Sequence, residues 1–458
     1  MNRLYRIAFC GFALCSLLPA AAQDNSPYSR YGLGDIVPNT NIINRGMGSI
    51  SAAYADFLAI NYNNPASYSK FRLNAEPRSG QTINGRVLFD VGINMTSRTL
   101  RNPNRPEKFT SASPTFSHVQ FGIPLKRNWG LSFGLRQLTR VAYKINRTEL
   151  LKDPIDNENI DSALTQFTGT GGTYLPSFGT GFSLGNFSAG ANLGYLFGRR
   201  ELSTKRAFIN DSVQYASANF VNSASFGGLF LQGGLQYDLY LSGNRESKEN
   251  TILRLGVSGN LNQDINGSRE VIRETFVRDA NGVDQRVDSI YENTNDEGTV
   301  TYPSSMTAGV VLQRQRDPND RSGWLLGVDF VQHNWENFRY FGTTDPSVQN
   351  GYELRVGGQI RPAAGPSLLS RSAYRAGFSI GRDYIRDGSE LPLFTASFGL
   401  EFPIGLYNRM SLGQYSTINL SLEYLKRGNN DNQLKENAFR LSLGLNFSDL
   451  WFNKRRYD

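Results

Sequence analysis

The sequence predicts an all-β fold, a transmembrane antiparallel β-barrel of about 14 strands. Three observations predict it. Apolar and polar residues alternate over about a dozen positions at a time, twice the usual length of a soluble strand. Within those stretches the charged residues fall on the parity opposite the apolar one. The connections between them alternate between short and long. The chain has 458 residues, with 12% aromatic, 19% charged and 46 Gly. Mean hydropathy is -0.40. Beyond the N-terminus no run approaches the roughly 20 apolar residues of a spanning helix, which excludes a helical bundle. Alternating strands average out in hydropathy, so a barrel is not excluded. The aromatic content argues against disorder.

The first element is a cleavable export signal, residues 1–22. Arg3 and Arg6 precede an apolar stretch, Ile7 to Leu18, and Pro19 leads into Ala20-Ala21-Ala22. Cleavage near Gln23 would remove Cys10 and Cys15, the only 2 cysteines, which excludes disulfide and thiolate chemistry from the mature chain. The expected location is the outer membrane of a Gram-negative type of cell. Of the formal charge of +8, two units are Arg3 and Arg6, and the rest is scattered. A nucleic-acid partner would need a clustered patch, and there is none.

Residues 23–80 lack long alternation and are rich in Asn, Ser, Gly and Tyr, with a small amphipathic patch from Ile50 to Leu58. From composition alone, a plug inside the lumen and a solvent-exposed leader are equally weighted. Residues 81–448 carry the strands. The stretch Ile83, Val87, Phe89, Val91, Ile93, Met95 alternates with Asn84, Arg86, Asp90, Asn94 and Thr96. Trp129 to Ile145, Phe187 to Phe197, Phe394 to Phe402 and Phe439 to Phe447 repeat the pattern. Strands are expected near 83–98, 115–125, 129–145, 173–184, 187–199, 224–240, 251–262, 299–313, 323–335, 351–361, 372–381, 392–402, 416–426 and 438–448. A parity change at Gly227-Gly228 suggests a bulge. Gaps after odd-numbered strands run to about 10–36 residues and those after even-numbered ones to about 2–13, the outer-membrane arrangement with both termini periplasmic. The longest gap holds a charged hairpin about Asn281-Gly282. Trp129 and Trp324 suit a periplasmic aromatic girdle, and Trp335 by parity faces the lumen. Residues 449–458, with Trp451, Phe452, Lys454, Arg455 and Arg456, form a periplasmic tail.

The N-terminal segment narrows the reading. Arg45-Gly46-Met47-Gly48 is followed by Ala52-Ala53-Tyr54-Ala55-Asp56 and by Asn63-Asn64-Pro65-Ala66. This resembles the N-terminal hatch of the FadL/TodX family of outer-membrane transporters for hydrophobic compounds, whose Asn-Pro-Ala motif is matched by Asn64, Pro65 and Ala66. Tyr302-Pro303 opening a strand, Asp329 with Trp335 ending one, and Leu354-Arg355-Val356-Gly357-Gly358 beginning another are lesser likenesses. The resemblance implies a hatch in the lumen at 23–80 and a hatch motif of Arg45, Gly46, Gly48, Asp56, Asn64, Pro65 and Ala66. It implies passive uptake of hydrophobic solutes such as long-chain fatty acids. One departure stands out. The loop after residue 262 is charged, where the family's fatty-acid carriers have an apolar capture groove.

Parity gives the lumen-facing candidates Arg86, Arg136, Arg140, Asp329, Arg355, Arg375 and Glu423, which would hold the hatch or orient a headgroup. No break in 129–145 marks a lateral exit. No catalytic set, metal site or cofactor is expected. His118 has Ser117 beside it, but spacing places no third partner, and His333 is far away. Gly169–Gly172 reads as a loop without the helix or Lys of a phosphate cradle. The expected partners are outer-membrane lipid and a hydrophobic small molecule, with outer-membrane or periplasmic proteins reached through the long loops and the tail. The alternative function is a non-transporting barrel acting as scaffold in an outer-membrane secretion or protein-assembly complex.

Overall fold

The computed structural model describes residues 25–71, 73–75, 82–83, 86–104, 106–152, 159–209, 216–244, 247, 249–279, 283–317, 322–363, 365–404 and 415–450. The expected signal, the Asn281-Gly282 turn and the tail from Trp451 lie outside the described residues.

Fourteen antiparallel strands close into a barrel. In chain order, after a two-residue strand β1 (Asp35–Ile36), they are β2 (Arg86–Arg101), β3 (Lys108–Lys126), β4 (Trp129–Lys152), β5 (Asn159–Leu184), β6 (Phe187–Ile209), β7 (Ser217–Ser242) and β8 (Asn250–Asn260). A hairpin follows, β9 (Gln263–Arg278) and β10 (Asp284–Tyr302). The barrel resumes with β11 (Ser305–Asp317), β12 (Ser322–His333), β13 (Gly351–Arg361), β14 (Ala373–Asp387), β15 (Ser389–Ile404), β16 (Tyr415–Arg427) and β17 (Lys435–Leu450). β17 pairs with β2 from Leu450↔Arg86 to Lys435↔Arg101 and closes the ring. Each of the fourteen predicted segments corresponds to one wall strand.

Alternation does the work expected of it. Ile93, Phe178, Leu193, Leu231, Phe330, Ile380, Phe398 and Leu441 are 44–59% exposed, and dozens of large apolar side chains share that outer surface. Such a belt is untenable in water and natural in hydrocarbon. The opposite parity carries Asp90, Arg136, Asp238, Arg254, Asp329, Arg375, Glu401 and Glu423, all buried inside. Among the described residues no helix is long and apolar enough to cross a membrane. This is an outer-membrane type of barrel.

The wall is uneven in height. β4 to β7 run 23–26 residues, about twice a membrane crossing. The segments 146–172 and 200–223, expected as loops, are the upper parts of these strands. Above the membrane polar residues stand on both faces among scattered apolar ones such as Leu150, Ile209 and Phe220, so the contrast that marks a strand disappears. The Gly169–Gly172 stretch accordingly lies within β5. Gly169 accommodates the Tyr143 ring, and Gly172 faces Thr139. The β9–β10 hairpin continues this tall sheet, with β9 pairing along β7 from Asn266↔Gly227 to Phe276↔Ser217. Tyr302-Pro303 therefore ends β10 rather than opening a strand; Pro303 has no N–H for the ladder, and β11 begins at Ser305.

Gly227-Gly228 is not a bulge. β7 keeps one register against β6 throughout. On its other edge it exchanges β9, paired up to Gly227, for β8, paired from Gly233. The apparent parity change arises because Phe226 and Phe230 face inward, into an apolar cluster with Tyr28, Leu33, Trp335, Phe338 and Tyr384. Trp335 follows β12 in a short 3₁₀ turn and stacks on Tyr384 at 4.3 Å between centroids.

Candidate functional site

Residues 25–71 lie inside the ring and touch inward-facing residues around its circumference. Two asparagines shape this inner segment. Asn41 caps the short helix α1 (Ile42–Arg45), its side chain accepting from Asn44 N at 2.9 Å. Asn64 caps a 3₁₀ turn, Pro65–Lys70, accepting from Ala66 N at 3.1 Å. The amphipathic patch Ile50–Leu58 forms no helix; it is irregular chain whose apolar residues Ile50, Ala53 and Tyr54 pack with Met47, Val311 and Leu325.

Irregular chain in a lumen must find partners for its backbone groups. The motif residues provide many. Asn64 Nδ2 donates to Ala52 O (2.6 Å), Leu235 O (3.2 Å) and Val257 O (3.3 Å). Asp329 on β12 accepts from Ser51 N (2.5 Å) and Ala52 N (2.9 Å). Gly48, at φ +68°, donates its N–H to Ser397 Oγ at 2.8 Å; a side chain there would be strained and would meet Val356 O. Gly46 lies on Gly399, and a Cβ on either would come within 2.7 Å of the other's Cα. Asp56 accepts from Leu58 N at 2.9 Å.

Arg45 is fully buried and joins three wall strands. Its guanidinium donates to Asn94 Oδ1, to Ser117 Oγ (2.7 Å) and to Ser442 Oγ (3.5 Å) on β2, β3 and β17, and to Thr40 O (2.9 Å) and Pro38 O of its own segment. Arg355 donates to Ser49 O at 3.2 Å and pairs with Glu353. Lys70 ties the end of the segment to Asp238 at 2.7 Å, which also holds Arg254. A cluster that parity did not single out lies toward the extracellular end. Asp35 sits between Arg427 (2.8 Å) and Arg98 (3.2 Å), with Glu436 and Asp383 beside them. Burial alone would push the Asp35 carboxyl up; the two guanidiniums override it and hold it well below the usual carboxylate range. No sequence signal could connect residues 392 positions apart.

The other candidates brace the wall itself. Arg86 reaches Ser448 at 3.1 Å, Arg375 binds Glu401, and Glu423 lies 3.4 Å from Arg440. Arg136 differs. It is 2% exposed, and its Nη2 donates to Gln232 Oε1 at 2.8 Å. Its Nε and Nη1 have no partner, and among the described residues no carboxylate pairs with it. It lines a cavity of about 220 Å³ that also receives Arg355, Arg427, Arg440, Glu353 and Glu423. A second cavity of about 150 Å³, lined by Asp56, Lys70, Arg254 and Trp324, lies on the other side of the inner segment.

Arg140 does not face the lumen. Between Gln137 and Thr139 the β4–β5 register shifts by one residue at Leu138. This bulge turns Val141 and Tyr143 inward and Arg140 outward. β4 itself runs without a break from Trp129 to Lys152, but its pairing with β3 does not. β3 and β4 pair only up to His118↔Arg136. Above that point β2 is the one wall strand paired with β3, and β5 the one wall strand paired with β4, among the described residues, which leaves a slit in the wall. The inner segment laces its β4 side. Asn25 exchanges two hydrogen bonds with Lys144, Ser26 N donates to Ala142 O at 2.8 Å, β1 pairs with Thr139 and Arg140, and Val37 N donates to Leu138 O at 3.0 Å. Arg140 Nη1 reaches across to Pro114 O at 3.3 Å.

His118 has a third neighbour that spacing missed. A bulge at Ser117 turns both residues inward. His118 Nδ1 lies 2.9 Å from Ser117 Oγ, and Nε2 faces Asp90 Oδ1 at 3.1 Å, off the line of a hydrogen bond. Arg45 occupies the serine oxygen, Tyr62 covers the ring, and all three residues are buried.

A profile of the family described as BamG matches residues 3–458. No curated protein matches the chain by sequence. Several solved structures share its fold. The CymD monoaromatic hydrocarbon channel is 12% identical with a TM-score of 0.51, covering 91% of this chain and 99% of that one. A Pseudomonas aeruginosa FadL homologue is 13% identical at 0.51, covering 92% and 100%. The Pseudomonas putida toluene transporter TodX is 14% identical at 0.51, covering 91% and 99%. At such identities the likeness is one of fold.

Proposed function

The chain belongs to the BamG family, and on that footing we propose that it is a plugged barrel that conducts nothing and serves as a scaffold subunit in an outer-membrane protein-assembly or secretion complex. The carrying observation is the seating of residues 25–71. They are joined to the wall on all sides by buried polar contacts, and the cavities above and below share no lining residue. The upper cavity is rich in guanidiniums and carboxylates, a poor path for an apolar solute. In this reading the inner segment is a fixed plug, the tall sheet and the C-terminal tail are contact surfaces, and outer-membrane lipid surrounds the belt. In this reading the chain does no chemistry, and the Asp90–His118–Ser117 group is a buried part of the packing under Arg45 and Tyr62. Extraction of the tagged full-length protein in mild detergent tests the proposal. Stoichiometric protein partners are expected. A lone barrel carrying a bound hydrophobic molecule would overturn it.

A second reading, in which this is a FadL-type hatch barrel for passive uptake of hydrophobic solutes such as long-chain fatty acids, is favoured by the slit above Arg136. Solute would enter from outside, turn its headgroup to the unpaired Arg136 and leave down its gradient as the hatch shifts. A deletion strain whose uptake of lipids and hydrocarbons equals that of the parent would sink this reading.

A further inference from the structure

The feature least explained by a barrel is the β9–β10 hairpin. Residues 263–302 hold nine Asp or Glu and four Arg, in a chain of formal charge +8. Nearly every residue from Gln285 to Asn295 is exposed, so both faces stand in water. One edge of β10 is paired with β9. Along the other, from Asp284 to Gly298, it pairs with no strand among the described residues.

Two devices keep that edge from adding a strand. Three register shifts put extra residues into β10, which breaks the edge into short pieces. Its five acids, Asp284, Asp288, Glu292, Asp296 and Glu297, would lie against their own kind in a second copy. Three of them are compensated: Asp284 by Lys205 at 2.9 Å, Glu292 by Arg286 at 2.6 Å, and Asp296 by Arg269. Asp288 and Glu297 have no ion-pair partner among the described residues. Between them stand exposed apolar side chains, Ile290 at 63% and Tyr291 at 47%, and Val287 at 61% adjoins Asp288. Apolar anchors flanked by charge of one sign are the anatomy of a recognition patch. Self-association is repelled and a surface of opposite sign is steered in.

Resting on the scaffold reading, we propose that the exposed face of this hairpin is the docking surface for an extracellular protein presenting a basic patch, with Ile290 and Tyr291 as anchors and Asp288 and Glu297 as the acids outside the direct ion pairs. Contact is through side chains rather than strand addition.

The test uses the full-length chain in its native membrane. Wild type, D288K/E297K and D431K, half that charge step placed on the β16–β17 loop, are extracted in mild detergent, and bound protein is quantified. Heat-modifiable migration on gels shows that each barrel is closed. Hydrogen exchange of residues 284–298 is compared between the wild-type complex and the stripped barrel. D288K/E297K is expected to lose at least tenfold of its bound partner while D431K keeps it, and the hairpin amides are expected to slow in the complex. Full retention by D288K/E297K, or equal exchange in both states, overturns this inference and leaves the scaffold reading standing. Absence of any stoichiometric protein on the wild type removes the scaffold reading, and this inference with it.

Discussion

Arg45→Met removes the single side chain that joins the inner segment to β2, β3 and β17 at once. Methionine keeps most of the volume and none of the donors. It leaves Thr40 O and Pro38 O without their partner, along with the wall acceptors Asn94 Oδ1 and Ser117 Oγ. A buried acceptor left unsatisfied costs about 1–3 kcal/mol. Against this, the guanidinium no longer has to be desolvated, which returns several kcal/mol. With four acceptors orphaned, the net expectation is a loss of about 3 kcal/mol, or roughly a hundredfold in local opening. Hydrogen exchange resolved to residues 38–50 in detergent reads this directly. The wall ladder makes no use of the Arg45 side chain, so heat-modifiable migration should be unchanged. An opening equilibrium altered by less than about threefold would refute the reasoning, because it would mean that water already serves these acceptors.

Other expectations follow from the same geometry. Arg136→Met should leave stability unchanged or raise its thermal midpoint, since it removes a buried cation without a carboxylate partner; destabilisation by more than about 2 kcal/mol would reveal a partner for the guanidinium. Asp35→Asn should lower the thermal midpoint at neutral pH. Because the native carboxyl is held below its usual range, its stabilisation is fully present above the unfolded value of about 3.9 and is lost as pH falls through the native one; the gap between wild type and variant, followed by circular dichroism, should close in acid. Ile36 and Thr139 are directly paired, and paired antiparallel residues suit a disulfide. I36C/T139C should therefore cross-link in the oxidising compartment, shown by a mobility shift on non-reducing gels, and its failure to do so would unseat the lacing of the slit.

The strand count was legible because the membrane imposes one demand on every strand, an apolar outer face, and Ile93, Leu193 or Phe398 meets it without reference to its neighbours. That rule fails where the interior is apolar too. Val141 and Tyr143 continue the odd parity of Leu131, Phe133 and Leu135, yet they face inward, and only Leu138, apolar on the polar parity, betrays the inserted residue. Phe226 and Phe230 mislead for the same reason. Above the membrane the demand lapses, so the tops of β4 to β7 read as loops. The Asn64-Pro65-Ala66 turn was visible as a motif, but its reach to Ala52, Leu235 and Val257 was not. The Asp35, Arg98 and Arg427 cluster belongs wholly to the tertiary fold.

A hydrogen-bonded ring resists stretching at every height, and this one does so only up to His118 and Arg136. Higher up it is a collar with its ends apart, and the fastening is a bootlace of some dozen residues threaded from inside. Tension along the rim therefore ends in Asn25, Ser26, Asp35 and Val37, and a tug on the chain at that point would loosen the collar while the hoop beneath held its shape.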